Sequence, residues 1–299
     1  MAQSNYGYLK LLFKNNLLLN PDEYELSDVN ALGLVCRFFG MHLSSAFQPI
    51  FRADGKIIGR EALLRPSVHE QFELLPEAAF EEAHQAGRLV QFDRLVRTIH
   101  LLNHERRFAE HELLFLNVHP RLLGAVNDHG RTFEQILHYY SVPTSQVVIE
   151  IRESAVTDPV VLAEAVRNYR SLGYKIAVDD FGLTQSGLEK LSGLHGGYER
   201  LVSRASNDEL TRVLALRPDF VKLDGALLAN PQATGVIYTL VSSLRAAGIQ
   251  VGIEGIETAS QLAIARKAGA DFLQGNHLAC AESAPKSKIR QAVAEHLAA

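Results

Sequence analysis

The chain has 299 residues, 47% of them hydrophobic and 21% charged, with a formal net charge of −4. That much apolar material fills one large core or two modest ones and excludes a disordered chain. The slightly acidic balance excludes a broad basic face for polymeric nucleic acid, yet it admits an anionic ligand held through cations.

Residues 1–43 read as a helical extension. Tyr8, Leu11, Leu12, Leu17, Leu18 and Leu19 make a patchy apolar surface that Pro21-Asp22 interrupts. Ser27 is placed to cap a second helix running to about Phe39. Such an extension is expected to pack on the following domain or on a partner subunit. From about Leu43 short apolar runs alternate with helical patterns. The predicted strands are Phe47–Phe51, Ile57–Leu64, Leu113–Val118, Val147–Ile151, Ile176–Asp179, Phe220–Leu223, Gln250–Glu254 and Phe272–Gln274. Predicted helices lie near 76–86, 90–104, 131–139, 159–171, 208–216, 232–247 and 258–267. Gly173, Gly248 and Gly269 each follow a helical run, where a C-terminal cap is expected. Strand–helix alternation of this kind predicts an α/β fold with a largely parallel sheet, and its strand number fits a (β/α)8 barrel better than an open sheet.

A barrel of this type gathers chemistry at the C-terminal ends of its strands. Glu61, Asn117, Glu150, Asp179, Lys222, Glu254 and Gln274 all stand at or near such ends. The run Lys175–Gly182 delivers two adjacent carboxylates, Asp179 and Asp180, from an apolar strand. Adjacent acids repel, and a divalent metal is the usual reason to hold them together. Hard oxygen donors suit Mg2+ or Mn2+. Lys222 among these acids is electrostatically favoured, and it is expected to orient a water or to stabilise charge on a phosphoryl oxygen. Other chemistries lack their signatures. His111-Glu112 has no second histidine at the metalloprotease spacing, and neither a Gly-x-Ser-x-Gly elbow nor a phosphate-binding P-loop occurs. Cys36 and Cys280 are the only cysteines, too few for a disulfide framework or a thiolate metal site. Absence of a membrane-length apolar run or a signal-peptide pattern predicts a cytoplasmic protein.

These blocks resemble the EAL-domain family of cyclic di-GMP phosphodiesterases over about residues 44–282. The motif Glu61-Ala62-Leu63 lies within Gly59-Arg60-Glu61-Ala62-Leu63-Leu64-Arg65. Ala46-Phe47-Gln48-Pro49-Ile50 resembles the first strand, and Val148-Ile149-Glu150-Ile151-Arg152-Glu153-Ser154 the glutamate strand. Asp179-Asp180-Phe181-Gly182, Val221-Lys222-Leu223-Asp224, Glu254-Gly255-Ile256-Glu257-Thr258 and Asp271-Phe272-Leu273-Gln274-Gly275 follow in the family's order. The resemblance implies an EAL-type TIM-like barrel with one antiparallel strand over 44–299, preceded by the 1–43 extension. It implies metal-dependent hydrolysis of cyclic di-GMP to linear pGpG by a metal-activated water, with two Mg2+ or Mn2+ ions per site. Glu61, Asn117, Glu150 and Asp179 would bind one ion. Asp179 would bridge to a second, near Asp180 and Glu254. Lys222 would orient the water, Gln274 would complete the polar set, and Glu257 would support it from behind. Gln48, Leu64 and Arg65 would contact the nucleotide, and a homodimer is expected. After Gly182 the chain departs from the family's Thr-Gly-Tyr-Ser-Ser-Leu and reads Leu183-Thr184-Gln185-Ser186-Gly187-Leu188, with extra loop material over about 183–207. That departure leaves an alternative: a receptor that binds cyclic di-GMP without cutting it and acts through dimer or partner contacts, the 1–43 helices and the inserted loop being the candidate surfaces.

Overall fold

A computed structural model describes residues 5–29, 33–68, 72–109, 111–125, 130–152, 158–182, 210–229 and 234–282. The segment 183–207, with Glu153 and Ser154, lies outside the described residues. Among the described residues eleven strands form one sheet: β1 (Tyr24–Val29), β2 (Gly33–Phe38), β3 (Met41–Arg52), β4 (Ile57–Val68), β5 (Phe72–Glu73), β6 (Leu113–Asn117), β7 (Val147–Arg152), β8 (Lys175–Phe181), β9 (Phe220–Leu223), β10 (Gln250–Ile253) and β11 (Phe272–Leu273). Neighbours β4-β6-β7-β8-β9-β10-β11 run parallel. Strand β3 pairs antiparallel with both β11 and β4, and so closes an eight-stranded barrel. Every predicted barrel strand is present, and the single antiparallel member is β3. Helices at Pro76–Gln85 (α2), Leu89–Glu105 (α3), Arg131–Tyr139, Pro159–Ser171, 210–216, Thr234–Ala246 and Ala259–Lys267 stand where the pattern put them.

The barrel interior is built in layers, because residues two apart on a strand face the same side. Ile50, Phe115, Val148, Ala177, Phe220 and Phe272 form a buried apolar plug. Each belongs to a different strand, and in the sequence each lies two positions from a site residue. Two strands contribute glycine to this layer. A Cβ on Gly252 would stand 1.8 Å from the Phe272 ring, and one on Gly59 would stand 2.4 Å from the Leu113 carbonyl oxygen. The Phe272 ring therefore requires Gly252, and the close approach of the Leu113 backbone requires Gly59.

A second core sits beside the barrel mouth. Strands β1 to β5 continue as an antiparallel sheet, with Leu34, Cys36, Phe38, Met41, Leu43 and Leu64 on its covered side. Helix α1 (Asn5–Asn16) brings Leu9 and Phe13 to it, and α3 brings Phe92, Leu95 and Ile99. Helix α1 meets the expectation for the extension, but the helix predicted from Ser27 to Phe39 is corrected to the hairpin β1–β2. Its hydrogen-bonding partners are β3 on one side and α3 on the other. The Asn103 amide of α3 donates to the Leu34 carbonyl at 2.9 Å and accepts from the Leu34 N–H at 2.7 Å. Leu34, Cys36 and Phe38 alternate toward the helices with a strand period, which short-range capping signals do not reveal.

Candidate metal and phosphoryl site at the barrel mouth

One layer above the apolar plug, the same strands turn polar groups inward. The Lys222 ammonium, 1% exposed, is the hub. Its Nζ lies 2.9 Å from Glu61, 2.9 Å from Glu150, 3.1 Å from Asp179 and 2.8 Å from Glu254. Glu61 is fixed further by amide donors, Gln274 Nε2 at 2.8 Å and Asn117 Nδ2 at 2.9 Å. Asn117 also reaches Glu150 Oε2 at 3.4 Å. Gln274 donates to Gln48 Oε1 at 3.2 Å, and Gln48 donates in turn to Asn276 and to the Ala279 carbonyl. The structure thus gathers Gln48, Glu61, Asn117, Glu150, Asp179, Lys222, Glu254 and Gln274 in one constellation.

Asp180 joins them by a backbone irregularity. In a regular strand Asp179 and Asp180 would face opposite ways. Here the β8–β9 ladder shifts register between Val178 and Phe181, and Asp180 takes a φ of +53°. Aspartate tolerates that left-handed conformation better than most residues. Asp179, Asp180 and Glu254 each offer a carboxylate oxygen, all within 4.8 Å of one another, and form one candidate divalent-metal triad.

Burial opposes every charge in this layer, and the hub decides which carboxylates stay ionised. Burial works against the Lys222 ammonium, but Asp179, Glu150, Glu254 and Glu61 together raise it well above the usual lysine value. Burial also opposes the Glu61 anion; there the Lys222 charge and three hydrogen bonds prevail and lower it. Glu150 is pushed well above its ordinary range by burial and by Glu61. Burial raises Asp179, and it pushes Glu254 up to about 8. One ammonium does not satisfy four acids, three of them buried. Asp179 Oδ1 and Glu150 Oε1 lie within ion-pair distance of it, yet neither receives a hydrogen bond of good geometry. Buried carboxylate oxygens left in that state fit a divalent cation.

Other expected residues fall elsewhere. Arg65 lies four positions beyond Glu61, on the same strand face, half-buried, with Nη1 donating to the Leu64 carbonyl. The Leu64 side chain is buried in the core between the sheet and α1–α3, since neighbours on a strand face opposite sides. Glu257 is exposed ahead of the helix Ala259–Lys267; its N–H donates to Gln261 Oε1, and among the described residues no hydrogen bond joins its carboxylate to the ring. Sequence reasoning gave Arg152 no role. Its Nε lies 2.6 Å from Asp180 Oδ2. The signal was available, because Arg152 follows Glu150 by two positions and so shares its face.

The EAL domain family model matches residues 39–197 and 203–281, more than half of the chain. The uncharacterised protein Rv1357c of Mycobacterium tuberculosis is 29% identical over 286 residues, covering 88% of this chain and 85% of that protein. The cyclic di-GMP phosphodiesterase RocR of Pseudomonas aeruginosa is 26% identical over 263 residues, covering 85% of this chain and 62% of RocR. Among solved structures, Bacillus subtilis YkuI in complex with c-di-GMP and calcium superposes with a TM-score of 0.61 at 25% identity, covering 84% of this chain and 61% of that one. The Pseudomonas aeruginosa FimX EAL domain bound to c-di-GMP gives 0.61 at 20% identity, covering 92% and 96%.

Proposed function

The chain belongs to the EAL-domain family, and from that footing we propose that it hydrolyses one phosphodiester of cyclic di-GMP to give linear pGpG. The observation that carries this reading is the ring of Glu61, Glu150, Asp179 and Glu254 around Lys222 at the C-terminal barrel mouth. RocR, a relative, is named as such an enzyme, and YkuI was crystallised with the nucleotide and calcium. Glu61, Asn117, Glu150 and Asp179 would hold one Mg2+ or Mn2+, and Asp179, Asp180 and Glu254 a second. A divalent cation supplies a Lewis acid and makes water a stronger nucleophile near neutral pH. The chain's own groups do the rest. Lys222 neutralises part of the carboxylate charge and directs an N–H donor at the reacting centre. Asn117 and Gln274 hold Glu61 in one orientation. Gln48 and Arg65 share the strand face that leads out of the site, where a guanidinium suits a phosphate. In the reaction the water oxygen bonds to phosphorus, the opposite P–O3′ bond breaks, and the departing 3′ oxygen takes up the proton that the water gives up.

The same reading keeps a homodimer, a cytoplasmic setting, partner contacts through residues 1–43 and the division into 1–43 and 44–299. No helix among the described residues is long and apolar enough to cross a membrane. One observation favours the alternative of binding without turnover: Asp180 is already paired with Arg152. Incubation with cyclic di-GMP and Mn2+, read by chromatography, tests the proposal. Appearance of pGpG, abolished in Glu61→Gln, is the expected result. Calorimetric binding with no product assigns a receptor instead, and absence of binding defeats both readings.

A further inference from the structure

The acids at the barrel mouth fall into two electrostatic groups. Glu61, Glu150 and Asp179, which are buried, and the partly buried Glu254 share the Lys222 ammonium. Asp180 stands outside that group. Its side chain is 35% exposed, and its ion pair is with Arg152, whose side chain is 52% exposed. Strand register explains the pairing. Arg152 sits directly opposite Asp179 on the β7–β8 ladder, and the turned-out backbone at Asp180 swings the second carboxylate toward it. Yet Asp180 is also one of the three carboxylates whose oxygens converge within 4.8 Å. The guanidinium therefore holds the same carboxylate that the outer cation position needs. Asp179, whose Oδ1 lies 3.1 Å from Lys222 Nζ, is shared between the Lys222 group and this triad.

We propose that Arg152 is an internal competitor for the outer cation, neutralising Asp180 so that the chain takes up one divalent ion readily and a second only as Arg152 swings away. The inference rests on the cation reading of the proposed function and adds to it the residue that sets the order of loading. The two cationic side chains differ in the freedom such a role needs. Lys222 is sealed in the barrel and cannot leave without stranding four carboxylates. Arg152 is half in water, and an exposed ion pair is cheap to break. A guanidinium at this distance satisfies the carboxylate as a charge-assisted donor, while it repels a dication approaching the same carboxylate. Its removal strips both effects from the outer position and leaves the Lys222 group untouched.

The test is Mn2+ binding to the metal-stripped, full-length chain, followed by calorimetry and by the electron paramagnetic resonance signal of free Mn2+. Wild type is expected to bind one Mn2+ tightly and a second weakly. Arg152→Gln should tighten the second by roughly tenfold and leave the first unchanged. Asp180→Asn should abolish the second event in both backgrounds. Equal second-site affinity in wild type and Arg152→Gln, with the first site intact, overturns the role of Arg152 and leaves the cation reading standing. Absence of Mn2+ binding in every variant overturns both together. Equal urea midpoints for wild type and Arg152→Gln in the metal-free state establish that a change in affinity reflects the site rather than the fold.

Discussion

Replacing Lys222 by methionine keeps the length of the side chain and removes its charge. In the folded protein its Nζ lies between 2.8 and 3.1 Å from oxygens of four carboxylates. At an effective dielectric of about 20, each contact contributes roughly 5–6 kcal/mol of attraction before desolvation is counted. Most of that sum offsets the cost of burying the ammonium and the acids, and the acids relax by taking up protons once it is gone. Removal of one partner from a buried ion pair costs about 3–5 kcal/mol, and that is the net loss expected here. Against a typical domain stability of about 5–15 kcal/mol this is a large fraction. Urea unfolding of the metal-stripped chain at pH 7 measures it. Saturating Mn2+ should restore much of the loss, since a dication supplies the charge that the methionine lacks. A loss below about 1 kcal/mol in the metal-free state, with an unchanged m-value, would refute the hub and with it the crowding of the four acids.

His100 is held neutral inside the fold: burial, then the Arg65 charge, lower it to about 3, while its Nδ1 meets Ser45 Oγ at 2.7 Å. The unfolded chain binds more protons between pH 6.5 and 3, so this contribution is complete above about pH 6.5 and is lost as the pH falls toward 3. Relative to His100→Gln, wild type should lose about 2 kcal/mol on going from pH 7.5 to 5, read as urea midpoints; parallel slopes in the two proteins would contradict it. Asn103→Ala leaves both backbone groups of Leu34 without a partner inside the core, and a loss of about 2–3 kcal/mol is expected. Hydrogen exchange should localise that opening to β2, whereas uniform loosening would mean that Asn103 does not tie the hairpin down. Gly252→Ala should cost at least about 1–3 kcal/mol by thermal unfolding, because its Cβ would enter the Phe272 ring; a neutral outcome would show that the aromatic plug can shift.

Much of the site was legible in the sequence because a barrel strand is a short code. A plug residue facing inward is followed two positions later by a site residue facing inward, as in Phe115 and Asn117, Val148 and Glu150, Phe220 and Lys222, Phe272 and Gln274. Neighbour-to-neighbour apolar runs and glycine caps place those strands without knowledge of what they touch. The hairpin β1–β2 was misread because its partners, β3 and Asn103 of α3, are remote in the chain, and local capping signals cannot weigh them.

The sequence by itself determined the barrel, the order of its strands and the inward polar layer, since these follow from periodicity and from residues at strand ends. Tertiary structure alone decided how the charges are shared. It set Lys222 among four acids brought by other parts of the barrel and, through a broken ladder, swung the Asp180 carboxylate onto Arg152. Coulomb energies depend on distances across the barrel, and those are fixed by strand register and closure rather than by spacing along the chain.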